Sequence, residues 1–540
     1  MSVDQISAVE SREAVSTRGV VSGEPKCAVQ IGANLIAAGG NAADAAAAAC
    51  LAAAARSPAA VDIGGYVLCA VIQDARGKVM CLDANSAAPA LAHESMYGIL
   101  PRRRDVLGLN EAEYDCSVVD DANVWGPLAV GVPGVVAGIG TLASHWGRMS
   151  WTDIVTPSIE LLAGGIPYGS VAKAMHTMRD VIDRFPTTQA HLTKAGACTK
   201  PGPEDVWYRE DLQATLKHLS SGGWQDFYRG DVARTIVTYL GSIGGILSEP
   251  DMAAFSPRIG APIATTHREA TVYAPPPPSG GPTTLQMLNM LEAIDADAAD
   301  PAFWHILAEI GKLAWRDRLR CVGDPDFCPD FTDLLVNKRY AAGRVASTRD
   351  FPAHVDTQFS GTPSGPSETI HICTADADGM IVSVTLSQGP LFGSCLTVPR
   401  TGVILGSGMC RFDPRPGHAN SVAARKRPLN NLAPFILKTP DRNVAGGLSG
   451  GRRIVTVSAQ IAHRLITQHA SPIEVISSPR MHVEASEPLW VRSIPAEVKE
   501  TLKMLGHRIA TEERVGGAAA VVEQRSDRTL HGAGMWAFGA

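Results

Sequence analysis

The sequence predicts a mixed α/β domain whose sheets are covered by helices. Helical and strand signals alternate along all 540 residues with no clean linker between them, and after residue 369 the composition turns toward β-branched strands. With 45% hydrophobic residues the chain can bury a sizeable core, as two or three domains or as one large layered one.

Residues 20–55 read as a long alanine-rich helical region interrupted at 39–44, GGNAAD. There Gly39 and Gly40 end one helix and Asn41 or Asp44 caps the next. Residues 66–72 and 78–82 form a hairpin pattern closed over Asp74-Ala75-Arg76-Gly77. Past the Gly- and Pro-punctuated run 126–134, helical stretches are expected at 151–163 and 171–185. The tract 274–284, APPPPSGGPTT, lacks backbone donors and predicts a rigid turn before a helix over 285–294. Two runs of alternating β-branched and smaller residues flank Asp376-Ala377-Asp378-Gly379, a hairpin signal, and a last helix is expected over 454–469. No internal repeat is visible.

Composition excludes several functions. The net charge is −6 and no lysine-rich tract occurs, which argues against nucleic acid as a partner. The first fifteen residues are charged and lack an apolar signal-peptide core, and the longest apolar stretch, 42–55, is too short to span a bilayer. A soluble cytoplasmic protein without a membrane partner is therefore expected. Eleven scattered cysteines include no CxxC pair, so reduced thiols are expected and neither a metal nor a cofactor is called for.

The chemistry-bearing feature is a threonine at the head of the hairpin in 365–387. Thr369 opens the first strand behind a Pro-, Gly- and Ser-rich stretch that reads as exposed loop. A cut between Glu368 and Thr369 would give Thr369 a free α-amino group beside its own hydroxyl, so that one residue supplies both nucleophile and general base.

A series of ordered motifs surrounds it: GGNAADAA at 39–46, DIGG at 62–65, GVPGVVAG at 131–138, GGILSEPDM at 244–252, PPPSGGPTTLQMLNML at 276–291, GDPDF at 323–327, TIH at 369–371, KRPLNNLAP at 426–434, LSGGRRI at 448–454 and SPR at 478–480. In their joint order over more than 400 residues they resemble the γ-glutamyltranspeptidase (glutathione hydrolase) family of N-terminal nucleophile hydrolases. The resemblance implies a proenzyme that cuts itself before a threonine, giving a large subunit, 1–368, and a small one, 369–540, folded together as one four-layer αββα sandwich. It places the nucleophile at Thr369, a hydroxyl that bonds it at Ser387, and the oxyanion glycines at Gly450 and Gly451. Two backbone N–H groups aimed at one oxyanion are worth about 3–4 kcal/mol per donor in comparable sites.

The positions that in this family grip a free amino-acid head are altered. The carboxylate-binding arginine falls on Asn85, the asparagine of the strand after the nucleophile on Gly389, the groups that hold the substrate ammonium on Gly408 and Arg411, and the paired serines on Asn430 and Asn431. Arg411 stands where a carboxylate would meet an ammonium and would repel it. An amide of a small acid without an α-ammonium, of the oxamate or glutaryl type, is the substrate class this implies, with water or an amine as acceptor. Two other readings stand beside it: ordinary γ-glutamyl transfer with glutathione hydrolysis, and an unprocessed binding homologue. His371 and Cys373 share the face of Thr369; the first is read as structural and the second as a small core residue. One of Arg452 and Arg453 is expected to pair with a carboxylate, and Asp324 and Asp326 to hold a turn.

Overall fold

The computed structural model describes residues 12–101, 114, 116–193, 201–294, 300–348, 369–511, 515 and 517–540. Two seven-stranded sheets, in which every strand pairing is antiparallel, dominate it. Numbered along the chain, their strands are β1 (Arg12–Ser16), β2 (Gly19–Gly23), β3 (Val67–Gln73), β4 (Val79–Asn85), β5 (Arg258–Gly260), β6 (Ile263–His267), β7 (Ala270–Ala274), β8 (Ile370–Asp376), β9 (Ile381–Ser387), β10 (Phe435–Lys438), β11 (Arg442–Leu448), β12 (Ala519–Arg525), β13 (Leu530–Gly534) and β14 (Trp536–Gly539). One sheet runs β1-β13-β12-β11-β10-β7-β6, the other β14-β2-β8-β9-β3-β4-β5.

Three apolar clusters hold these sheets. Val20, Val71, Cys81, Cys373, Ala375 and Ile381 of one sheet meet Ile436, Ala445, Ala520 and Val522 of the other. The opposite face of the β8–β9 sheet carries Leu68, Ala70, Ile370, Ile372, Val382 and Val384, covered by α1 (Lys26–Ala37), α2 (Ala42–Arg56), α3 (Val135–Trp146), α4 (Trp151–Ala163) and α5 (Glu210–Gly222). The second sheet turns Val272, Leu437, Val444 and Val521 toward α6 (Gly281–Glu292), α7 (Pro301–Cys321) and α8 (Arg453–Thr467). Because both faces of β8 and β9 are covered, all seven residues of each are buried, and period-2 alternation survives only as a division between the two packing partners.

Local chemistry explains most boundaries. Asn41 caps α2, accepting from the N–H groups of Ala43 and Asp44, while Asp44 returns a bond to the Asn41 N–H. Alanines let α2 bury on every side without volume conflict. Three expectations need correction. Residues 20–23 are strand, not helix, because Gly19–Gly23 is held between β14 and β8. The 171–185 helix is broken into Ser170–Thr177 and Arg179–Ile182 at Met178. The helix after the proline tract begins at Gly281, since Pro282 sits in its first turn, where its missing N–H costs nothing. No helix among the described residues is long and apolar enough to cross a membrane.

Candidate active site

Strand register places the neighbours of Thr369. Ile370 pairs with Leu386, which sets Thr369 opposite Ser387; Ser387 pairs with Val67, and Val67 with Asn85. Directly opposed residues share a face, so the four form one row on the side that looks at the other sheet. Asn85 is three strands away from Thr369, about 14 Å at the usual ~4.8 Å strand spacing. Thr369 is buried, and its Oγ1 donates to Ser387 Oγ at 3.4 Å, while Ser387 Oγ also accepts from the Gly389 N–H at 3.1 Å. A separation of 3.4 Å is long for a hydroxyl pair, as is common in sites that tighten only around substrate. Glu368, on the other side of the predicted cut, lies outside the described residues.

Strand β11 crosses this face from the second sheet. Ser383 Oγ donates to the Gly446 carbonyl at 2.9 Å, and a β-carbon on Gly447 would stand 2.5 Å from the His371 ring, so only glycine permits that approach. From Gly446 to Gly447 the contact moves from the Cys373–Ser383 row to the His371–Thr385 row, so Ser449 to Gly451 continue toward the row of Thr369 and Ser387. Gly450 and Gly451 have φ of 137° and 61°, backbone that a side chain would strain. Their carbonyls accept from the N–H groups of Arg453 and Ile454 at 3.3 Å, which turns the chain into α8, while their own N–H groups donate to no acceptor among the described residues. Two spare donors at a helix N-terminus make a place where negative charge is stabilised.

The residues around this turn are structural. Arg452 Nε donates to Glu484 at 2.8 Å, and both are buried. Burial would raise the Glu484 carboxyl, but Arg452 and His482 beside it hold it below the ordinary range. His371 is bonded at both ring nitrogens, Nδ1 to Thr385 Oγ1 at 2.8 Å and Nε2 to Cys373 Sγ at 3.2 Å, and burial pushes its pKa down to about 3. It is a neutral packing group, in keeping with the structural role read for it. Burial likewise raises the Cys373 thiol, which removes it as a thiolate nucleophile. Asp324 accepts from the Asp326 N–H at 3.3 Å, the turn expected there, and also takes Arg258 at 3.0 Å and the Arg427 N–H at 2.9 Å.

The positions expected to bind the acyl group lie on segments bonded to this end of the sheet. Asn85 is fully buried and donates through Nδ2 to the Pro428 carbonyl at 2.6 Å, which ties β4 to the loop of Asn430 and Asn431. Gly408 abuts Ser86, where a β-carbon would fall 2.6 Å from the hydroxyl, and the Ser407 N–H donates to the Gln388 carbonyl next to Gly389. Arg411 ends the short 3₁₀ turn Met409–Arg411 and is buried; its carbonyl accepts from Asn420 at 2.7 Å. Asn431 Oδ1 and the Asn430 carbonyl both accept from Arg318 of α7, at 2.7 and 2.8 Å, and Asn430 Oδ1 accepts from the Leu432 N–H. That leaves Asn430 Nδ2 as a buried donor without a partner among the described residues.

Sequence reasoning did not find Arg318, nor the buried pair Arg209–Asp62 (2.5 Å), which joins the 62–65 loop to the carbonyls of Ala55 and Gly402. It also assigned no metal, whereas His305, Glu309 and His507 bring ligand atoms within 4.8 Å of one another. His305 and Glu309 sit on α7, outside the sheet whose strand β8 begins after Thr369.

A profile of the family described as gamma-glutamyltranspeptidase matches residues 28–535. The chain is 32% identical over 536 residues to an acylase ACY 1 proenzyme of Pseudomonas sp. (strain SE83), covering 98% of this chain and 93% of that one. It is 29% identical over 551 residues to the glutathione hydrolase proenzyme of Escherichia coli (strain K12), covering 96% and 90%. The structure superposes on a cephalosporin acylase from Bacillus halodurans with a TM-score of 0.84 at 24% identity, covering 96% of this chain and 94% of that one, a likeness of fold.

Proposed function

The chain belongs to the γ-glutamyltranspeptidase family, and on that premise we propose that it is an autoprocessing threonine amidohydrolase whose acyl substrate is a small acid lacking an α-ammonium group. The observation that carries this is the bond of the Thr369 hydroxyl to Ser387 Oγ at 3.4 Å, beside a glycine turn with two spare N–H donors at Gly450 and Gly451 that ends the strand crossing the same face. The two sheets with helices on both outer faces are read as the four-layer αββα sandwich of N-terminal nucleophile hydrolases.

In maturation, Thr369 Oγ1 attacks the carbonyl carbon of Glu368; the acyl group moves from nitrogen to oxygen, and water cleaves the resulting ester. Residues 1–368 and 369–540 then remain packed as two subunits, and Thr369 has a free amine. In turnover the amine takes the hydroxyl proton as Oγ1 attacks the substrate amide. The Gly450 and Gly451 N–H groups hold the oxyanion, and the ammonium returns its proton to the departing amine. Water, deprotonated by the same amine, or a second amine releases the acyl group.

Asn85, Gly389, Gly408, Arg411, Asn430 and Asn431 shape the acyl pocket in this reading. The swapped charge at Arg411 favours a dicarboxylic monoamide of the oxamate or glutaryl type, and the likeness to an acylase ACY 1 proenzyme supports acyl groups beyond γ-glutamyl. The test compares glutaryl- and γ-glutamyl-p-nitroanilide on the matured enzyme. An unpaired, desolvated ammonium costs about 2–5 kcal/mol, so kcat/KM should favour the glutaryl compound by some tens- to thousands-fold. Equal or faster γ-glutamyl turnover would replace this reading with ordinary glutathione hydrolysis, the activity named for the Escherichia coli relative.

A further inference from the structure

We infer that His305, Glu309 and His507 form a zinc site that fastens α7 to the small three-stranded sheet made of Arg480–His482, Leu489–Arg492 and Ile509–Thr511. All three side chains are buried, and their ligand atoms lie within 4.8 Å of one another. His305 and Glu309 are one helical turn apart on α7, so both project from one face, while His507 arrives two residues before the third strand of the sheet.

The second layer around these residues is arranged as metal ligands require. The His507 Nδ1–H points at Glu487 Oε1, 2.8 Å away, which fixes the tautomer and leaves Nε2 as the ligating nitrogen. That Nε2 faces His305 Nδ1 at 2.9 Å. A tetrahedral zinc with bonds of ~2.0–2.1 Å holds two nitrogens about 3.3 Å apart, so the rings need to separate by only a few tenths of an ångström, with His305 carrying its proton on Nε2. Lys312 Nζ donates to Glu309 Oε1 at 2.8 Å and pairs with Glu487 at 2.6 Å; this positions the Glu309 carboxylate and leaves its other oxygen for the metal. Among the described residues two carboxylates face one ammonium here, which leaves a net negative charge to attract a cation. Two imidazoles and a carboxylate are a zinc set with one position left for water. His305 and His507 stand 202 positions apart, with none of the short spacings by which zinc sites are recognised in sequence.

The same helix carries Arg318, which holds the Asn430–Asn431 loop, so a site at one end of α7 would steady a helix that touches the acyl pocket at the other.

The experiment uses the full chain, dialysed against zinc chloride and then against zinc-free buffer, with metal measured by mass spectrometry. About one zinc per chain should be retained, Tm should rise by at least ~2 °C over chelator-treated protein, and Glu309→Gln and His507→Ala should each lower retained zinc about tenfold or more. If His507→Ala fails to fold, Glu309→Gln decides alone, since it keeps the size of the side chain. Retention of less than about a tenth of a zinc by the parent, or equal retention in parent and folded variants, would overturn the assignment.

Discussion

Replacement of Gly451 by alanine separates a catalytic turn from a merely tight one. Gly451 has a φ of 61° and follows Gly450, and neither N–H has an acceptor among the described residues. Alanine in left-handed backbone costs about 1–2 kcal/mol, a modest part of the stability of a domain this size. Relaxing that strain swings the N–H away from the oxyanion, and loss of one such donor costs about 2.7–4 kcal/mol, or 10²–10³ in kcat. Gly379→Ala is the control: it has a φ of 98° in the β8–β9 turn at the far end of the strands, and its β-carbon would meet nothing closer than the Ala75 carbonyl at 3.8 Å. Both variants should lose a few degrees of Tm, and only Gly451→Ala should lose activity by two orders of magnitude or more, assayed on matured enzyme with a p-nitroanilide. If kcat for Gly451→Ala stays within about threefold of the parent while Tm falls, the glycine serves the turn alone and the oxyanion assignment is wrong.

Two further outcomes follow from buried ionisable groups. Asp62→Asn leaves Arg209 buried without its carboxylate, so urea denaturation should show a loss of about 3–5 kcal/mol, and an unchanged midpoint would refute the pair's role. His371 is held at about 3 by burial while the unfolded chain protonates near 6.5, so its stabilising contribution is complete above pH ~6.5 and falls as the pH drops from there toward 3. At pH 5 this amounts to about 2 kcal/mol from His371 alone, and a urea midpoint that does not move between pH 7.5 and 5 would contradict its burial as a neutral ring.

What could be read in the sequence was local. The β8–β9 hairpin was legible because a turn tetrapeptide separates two β-branched runs, and the helical stretch read at 151–163 coincides with α4, whose start the structure fixes with a Ser150–Asp153 capping box. The strand at 19–23 was not, because Gly-Val-Val-Ser-Gly is buried on both faces and adjoins a helix, so neither period marks it. In the site, Thr369 and the glycine turn were visible as ordered motifs. The contacts that position them were not: Gly447 under His371, and Arg318 against Asn430 and Asn431, join residues dozens to more than a hundred positions apart through packing that no local pattern encodes.

The most direct test of the whole account is the identity of the N-termini in purified protein. Denaturing electrophoresis with N-terminal sequencing and intact mass should show two fragments, one ending at Glu368 and one beginning at Thr369, and Thr369→Ala should stay whole because the attacking hydroxyl is gone. A chain that remains intact through prolonged incubation, or that is cut at a site other than Glu368–Thr369, would contradict it.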